Sequence, residues 1–237
     1  MQLTGQLSSF KGVVGERVES GAGEGSGYRF KVPVLDLGAH GPGERRDAAE
    51  RRERVLWAAR ELFAERGVAA VSMYEIGRYA GVGQGTLYRR YEHKGALCSA
   101  LLAESAECFA GEIRERARSE EPALAQLEHL LVRLAGFNEA NAPLLGAIRD
   151  AAGGERRSGM YRNPFYQWLR ATVVALLSRA VTEGEAGTLD VECIADMVLA
   201  PLNIDLYLYQ REGLDMEPER ITRSLRRLLA SGLRGAG

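Results

Sequence analysis

Residues 81–95 read GVGQGTLYRRYEHKG, and the alternating glycines at 81, 83 and 85 constrain the chain more than any other stretch. Glycines at this density serve either a loop that cradles a phosphate or a tight turn between two helices. The cradle needs a strand before it, a helix after it and a third glycine three residues past the second. Here the preceding EIGRYA is helical in pattern, and Thr86 stands where that glycine belongs. No Gly-Lys-Ser/Thr occurs anywhere in the sequence. The stretch therefore predicts a helix, a short glycine turn and a second helix, which is the helix-turn-helix plan.

The flanks fit that plan. Over 46–66, Val55, Leu56, Ala59, Leu62 and Phe63 recur at helical spacing, and Gly67 follows as a C-terminal stop. Ser72 precedes the next helical run with Glu75 three residues on, a capping box opening a helix over 73–80. A third helix over 84–91 turns Leu87 and Tyr91 inward. Its N-terminus offers free backbone N–H groups to phosphate, and it fits a major groove about 12 Å wide. Thr86, Tyr88, Arg89, Arg90 and Lys94 supply hydroxyl and cationic donors on or beside it, and Gln84 can pair with adenine through its amide. Charge distribution agrees. The whole chain carries a formal charge of -1, but residues 44–94 hold 11 basic and 8 acidic residues, against 16 and 20 from residue 95 onward.

Residues 1–43 differ in character. ESGAGEGSG (19–27) has linker composition, and Pro33 demotes the one strand-like run, so this segment is expected to be a flexible extension or the product of a start site placed too early. After Lys94 the pattern is helix upon helix: about 95–119, 122–139, 143–151, 162–183 with Pro164 in its first turn, 189–211 kinked at Pro201, and 217–231. GGERRSG (153–159) reads as a loop. The expected fold is all-α: a three-helix DNA-binding domain over 44–94, then a second helical domain over 95–237, to which the family resemblance described below assigns ligand binding and dimerisation.

Little in the sequence supports catalysis. Cys98, Cys108 and Cys193 are odd in number and widely spaced, and read as small buried side chains in a reducing cytosol. His40, His93 and His129 offer no metal-ligand spacing. No nucleophile–base pair or paired carboxylate stands out, so no catalytic residue, metal or cofactor is expected. Neither a signal peptide nor a membrane-length apolar run is present, and the expected setting is the cytoplasm.

The run RVLWAARELFAERGVAAVSMYEIGRYAGVGQGTLYRRYEHKGAL (54–97) resembles the DNA-binding region of TetR-family transcriptional regulators. The matching features are ELFAERG, the hydroxyl residue before the second helix, IGRYAGV, GTLYRRY and the lysine two residues after YE. The resemblance implies phosphate contacts from Ser72, Thr86, Tyr88 and Lys94, and base or groove-wall contacts from Gln84, Gly85, Arg89 and Arg90. Many relatives carry Ser at position 83 and Lys at 84. Gly83 and Gln84 imply an altered operator preference, and Glu92 adds nothing to phosphate attraction. Arg45, Arg46, Arg51 and Arg52 are candidates for an N-terminal arm entering the minor groove.

The resemblance further implies a homodimer on a palindromic double-stranded operator, regulated by a small-molecule effector and acting as a repressor. Leu206, Tyr209, Ile221, Leu225, Leu228 and Leu229, on the last two helices, are candidate dimer contacts, their apolar residues exceeding what a one-sided surface helix needs. Phe109, His129, Arg133, Phe137, Arg149, Phe165, Trp168 and Thr172 are candidates for lining an effector cavity. The alternative is a helical enzyme or interaction protein in which the fifty-residue motif is incidental.

Overall fold

The computed structural model describes residues 46–152 and 161–232. The expected extension over 1–43, Arg45 of the expected arm and the GGERRSG loop lie outside the described residues. Among the described residues every regular element is helical: α1 (Arg46–Arg66), α2 (Met73–Tyr79), α3 (Gln84–Arg90), α4 (Lys94–Arg116), α5 (Ala123–Ala140), α6 (Ala142–Ala152), α7 (Pro164–Thr182), α8 (Val191–Leu199), α9 (Ile204–Leu208) and α10 (Pro218–Gly232).

Two apolar cores organise these helices. The first gathers Val55, Leu56, Ala59 and Leu62 of α1, Met73 and Ile76 of α2, and Leu87 and Tyr91 around α3. Leu56, Ile76 and Leu87 are at most 1% exposed, each worth about 1.5–3 kcal/mol of burial. The second core is built by α5, α7, α8 and α10. α4 serves both: Leu97 and Leu101 complete the first, and Ala106, Phe109 and Ile113 enter the second.

Helix ends follow local chemistry. Asn163 caps α7, its Oδ1 accepting from Phe165 N at 2.8 Å, with Pro164 in the first turn as expected. Pro122 has no side chain to cap α5, and the Glu185 carboxylate reaches across from beyond α7 to accept from Ala123 N at 2.6 Å and Leu124 N at 2.9 Å.

Three expectations are corrected. The single kinked helix over 189–211 is three pieces: after α8 a 3₁₀ turn carries Pro201, Asn203 caps α9, and a π turn spans Tyr209–Gly213. Proline's missing N–H and its ring end the helix here rather than bend it. Cys98 is buried, and desolvation pushes its thiol up to about 11, but Cys108 and Cys193 fall on outer faces and are exposed. Arg51 and Arg52 sit within α1, so they form no extended arm.

Candidate nucleic-acid interface

The turn between α2 and α3 is set by backbone geometry. Gly81 takes φ +64, and Val82 N donates to Gly77 O at 2.9 Å while Gly81 N donates to Arg78 O at 3.3 Å. This pair of bonds satisfies the last carbonyls of α2 and needs a residue that tolerates positive φ. Gly83 then opens α3 as its cap, its carbonyl accepting from Thr86 N at 2.9 Å and Leu87 N at 3.0 Å.

At the start of α2, Ser72 and Glu75 form the expected capping box. Glu75 N donates to Ser72 Oγ at 3.2 Å, and Ser72 N donates to Glu75 Oε2 at 2.8 Å. Arg66 Nη1 adds a bond to Glu75 Oε1 at 2.9 Å. The Ser72 backbone and hydroxyl donors, then Arg66, hold the Glu75 carboxyl down at about 2. The Ser72 hydroxyl proton also points to Glu75 Oε2, at 2.7 Å, so this exposed residue already has a structural partner.

On α3 the inward and outward faces separate as expected. Leu87 and Tyr91 are 1% and 5% exposed, whereas Gly85, Tyr88, Arg89 and Arg90 face outward and Thr86 is half-buried. A Cβ at Gly85 would meet nothing within 4 Å, so the backbone there is open to close approach.

Two expected DNA contacts are engaged elsewhere. Gln84 folds back onto α2, its Nε2 donating to Tyr74 O at 3.1 Å and its Oε1 buried without a hydrogen-bond partner. It lies over Gly77, where any side chain would displace it: a Cβ there would come within 2.5 Å of Gln84 Nε2. Lys94 turns its ammonium inward to the carbonyls of Val68 at 2.8 Å, Ala69 at 3.2 Å and Val71 at 3.0 Å. An ammonium has three protons, and these carbonyls take all of them.

Some residues escaped the sequence reading. His93 caps α4, its Nδ1 accepting from Ala96 N at 3.1 Å. Tyr74 is 60% exposed at the start of α2. Trp57 of α1 stacks on Tyr79 of α2, ring centroids 5.6 Å apart, with both about half exposed. The available signal was that Trp57 falls off the Val55–Leu56–Ala59–Leu62 stripe.

The expected effector cavity divides into separate features. Phe109, Phe137, Phe165 and Trp168 do come together, with ring centroids 5.1–5.9 Å apart, but ring packs on ring. Thr172 is fully buried and donates to Trp168 O at 2.8 Å. His129 and Arg133 instead meet at Glu112, which Arg133 grips with bonds of 2.7 and 2.8 Å. Arg149 pairs with Asp150 at 3.2 Å. Arg133 is exposed and His129 and Arg149 are half-buried, so these polar candidates stand apart from the buried aromatic group.

The expected dimer residues also divide. Leu206, Tyr209 and Leu228 are 42%, 57% and 68% exposed, and Met197 joins them at 64%. Ile221, Leu225 and Leu229 are 5–8% exposed because the inner face of α10 packs on the second core of the same chain. Tyr207, which the sequence reading passed over, is fully buried and donates to Glu139 Oε2 at 2.9 Å, tying α9 to α5.

Residues 55–101 match the sequence model of bacterial regulatory proteins of the tetR family. An HTH-type transcriptional regulator of Staphylococcus aureus (strain USA300) is 31% identical over 125 residues, 53% of this chain and 66% of that protein. The structure of Thermus thermophilus FadR, a TetR-family repressor in complex with lauroyl-CoA, superposes with a TM-score of 0.61. It is 21% identical, over 76% of this chain and 94% of that one. The SmeT–triclosan complex gives 0.55 at 20% identity, over 79% and 93%. At these identities the two structures establish the fold. Residues 55–101 thus carry the DNA-binding region of the TetR family of transcriptional regulators, and the helices behind it share the fold of the TetR-family structures.

Proposed function

We propose that this chain is a ligand-responsive repressor that binds a palindromic operator as a homodimer in the cytoplasm and is released by a small molecule. The observation that carries the reading is the divided face of α3: Leu87 and Tyr91 anchor it, while Tyr88, Arg89 and Arg90 face outward beside an open Gly85. A helix fixed from behind and cationic in front suits a DNA groove. Thr86 and Tyr88 serve the phosphates, Arg89 and Arg90 the bases or groove wall, and Ser72 adds a phosphate contact only by giving up its bond to Glu75.

Residues 44–94 form the DNA-binding segment in this reading, with Leu97 and Leu101 closing its core. Residues 95–237 bind the effector and pair the subunits. Exposed Leu206, Tyr209, Leu228 and Met197 support the pairing. The aromatic group around Phe109 and Trp168 supports a bulky apolar effector that enters by separating the rings. Structural neighbours that carry lauroyl-CoA or triclosan accommodate such molecules in the same architecture.

The test is selection of duplexes from a random pool, followed by binding measurements on the recovered site. Tyr88→Ala and Arg89→Ala should each weaken binding by roughly 1–3 kcal/mol while leaving the helical circular dichroism signal intact. Enrichment of no duplex at low salt, or full affinity in both variants, rejects the reading.

A further inference from the structure

We infer that the cleft between α1 and α3 seats a backbone phosphodiester of bound DNA, held by Arg51 and Arg52 of α1. The inference rests on the DNA-binding reading above and adds to it two residues of a different helix. The cleft has a volume of about 400 Å³. Its lining residues include Arg51, Arg52, Thr86, Arg89 and Arg90, with no Asp or Glu among them.

Each of the two α1 arginines pairs with a carboxylate of its own helix. Asp47 lies 3.8 Å from Arg51, and Glu53 lies 3.1 Å from Arg52. Both carboxylates are mostly exposed, at 77% and 63%, so solvent screens these pairs and they yield readily to a phosphate. Guanidinium is the donor group best matched to phosphate, since its planar fork meets two oxygens at once.

Position selects the DNA backbone as the source. α3 with its side chains is about 10–12 Å across and fills a groove about 12 Å wide, so a sugar–phosphate strand runs along its flank. Arg89 and Arg90 belong to both α3 and the cleft, which places the cleft on that flank. Arg51 and Arg52 then serve as phosphate clamps that fix α3 in the groove rather than as an arm reading the minor groove.

The experiment measures binding of the full-length chain to a selected duplex and to an unrelated one across a series of salt concentrations. It compares wild type with Arg51→Gln/Arg52→Gln, Arg51→Lys/Arg52→Lys and Arg54→Gln. Arg54 is exposed on α1 and does not line the cleft. The glutamine pair should flatten the plot of log affinity against log salt by about 1 for each phosphate no longer neutralised. It should weaken both duplexes by a similar factor, because a phosphate carries no sequence information. The lysine pair should keep the slope with reduced affinity, and Arg54→Gln should keep both.

An unchanged slope in the glutamine pair, or an equal change in Arg54→Gln, overturns the inference while leaving DNA binding by α3 intact. Loss of wild-type binding to every duplex overturns both. A last arm titrates inorganic phosphate into the free protein and follows the arginine Nε–H resonances. Millimolar saturation at Arg51 and Arg52 combined with an unchanged DNA salt slope identifies a site for free anions and also overturns the inference. If the glutamine pair lowers the melting temperature, the two single variants replace it, each expected to give part of the same flattening.

Discussion

The Lys94 ammonium lies 2.8 Å from the Val68 carbonyl oxygen, and this contact closes the segment between α1 and α2 onto the first turn of α4. The same ammonium holds Ala69 and Val71, so three backbone acceptors depend on one side chain. Lys94→Met keeps the stem and removes the donors. It should lower stability by about 1–3 kcal/mol in urea unfolding, since part-buried carbonyls lose their partner. The salt dependence of DNA binding should stay as in wild type. A flattened slope with unchanged stability would return Lys94 to the phosphates.

Gln84 is a brace between α2 and α3. Gln84→Ala should cost roughly 0.5–1.5 kcal/mol of stability through its bond to Tyr74 O and leave base preferences in the selected sites unaltered. A changed preference at a single base would show that the side chain swings out on binding. Gly77→Ala should cost about 1–3 kcal/mol by crowding, because its new methyl meets both Gln84 and the Val82 carbonyl oxygen, the latter at 3.2 Å.

Acid should act on the capping box in a defined window. Glu75 titrates near 4.5 when unfolded and near 2 when folded. A depressed folded value stabilises the fold above about pH 4.5, and that contribution fades as pH falls toward 2. The gap in urea midpoint between wild type and Glu75→Gln should therefore be fullest at neutral pH and narrow across this interval. A gap that stays constant down to pH 2 would contradict the arrangement of Ser72, Arg66 and Glu75.

α10 presents opposite faces to two different tests. Leu225→Ala removes a side chain that is 5% exposed and should cost about 2–5 kcal/mol of stability. Leu228→Ala removes one that is 68% exposed and should change stability by less than about 0.5 kcal/mol. Paired with Tyr209→Ala, it should shift sedimentation toward a smaller species. A wild-type chain that sediments as a single subunit at every concentration would remove the proposed pairing.

The legible parts were those governed by local rules. The capping box at Ser72–Glu75, the stop at Gly67, the glycine turn and the Leu87–Tyr91 anchor all arise within a few residues of sequence, and the structure has them. What escaped depends on where a long side chain goes. Gln84 and Lys94 carry donors suited to DNA, yet backbone carbonyls folded close to them compete for the same hydrogens, and spacing along the chain does not reveal that competition. The aromatic cluster was found, but whether four rings enclose space or fill it depends on helix separation. Pro201 was recognised as a disturbance; that it breaks the helix follows from Asn203 standing ready to cap a new one.

α4 carries Leu97 and Leu101 at one end and Phe109 and Ile113 farther along, so one rod is spliced into two oil drops. A polypeptide cut after residue 94 would leave the first drop open on one side and the second without its wall. Melting of either should therefore drag the other with it, and heat should register a single merged transition rather than two. The part of the protein that reads DNA borrows its solidity from the part behind it.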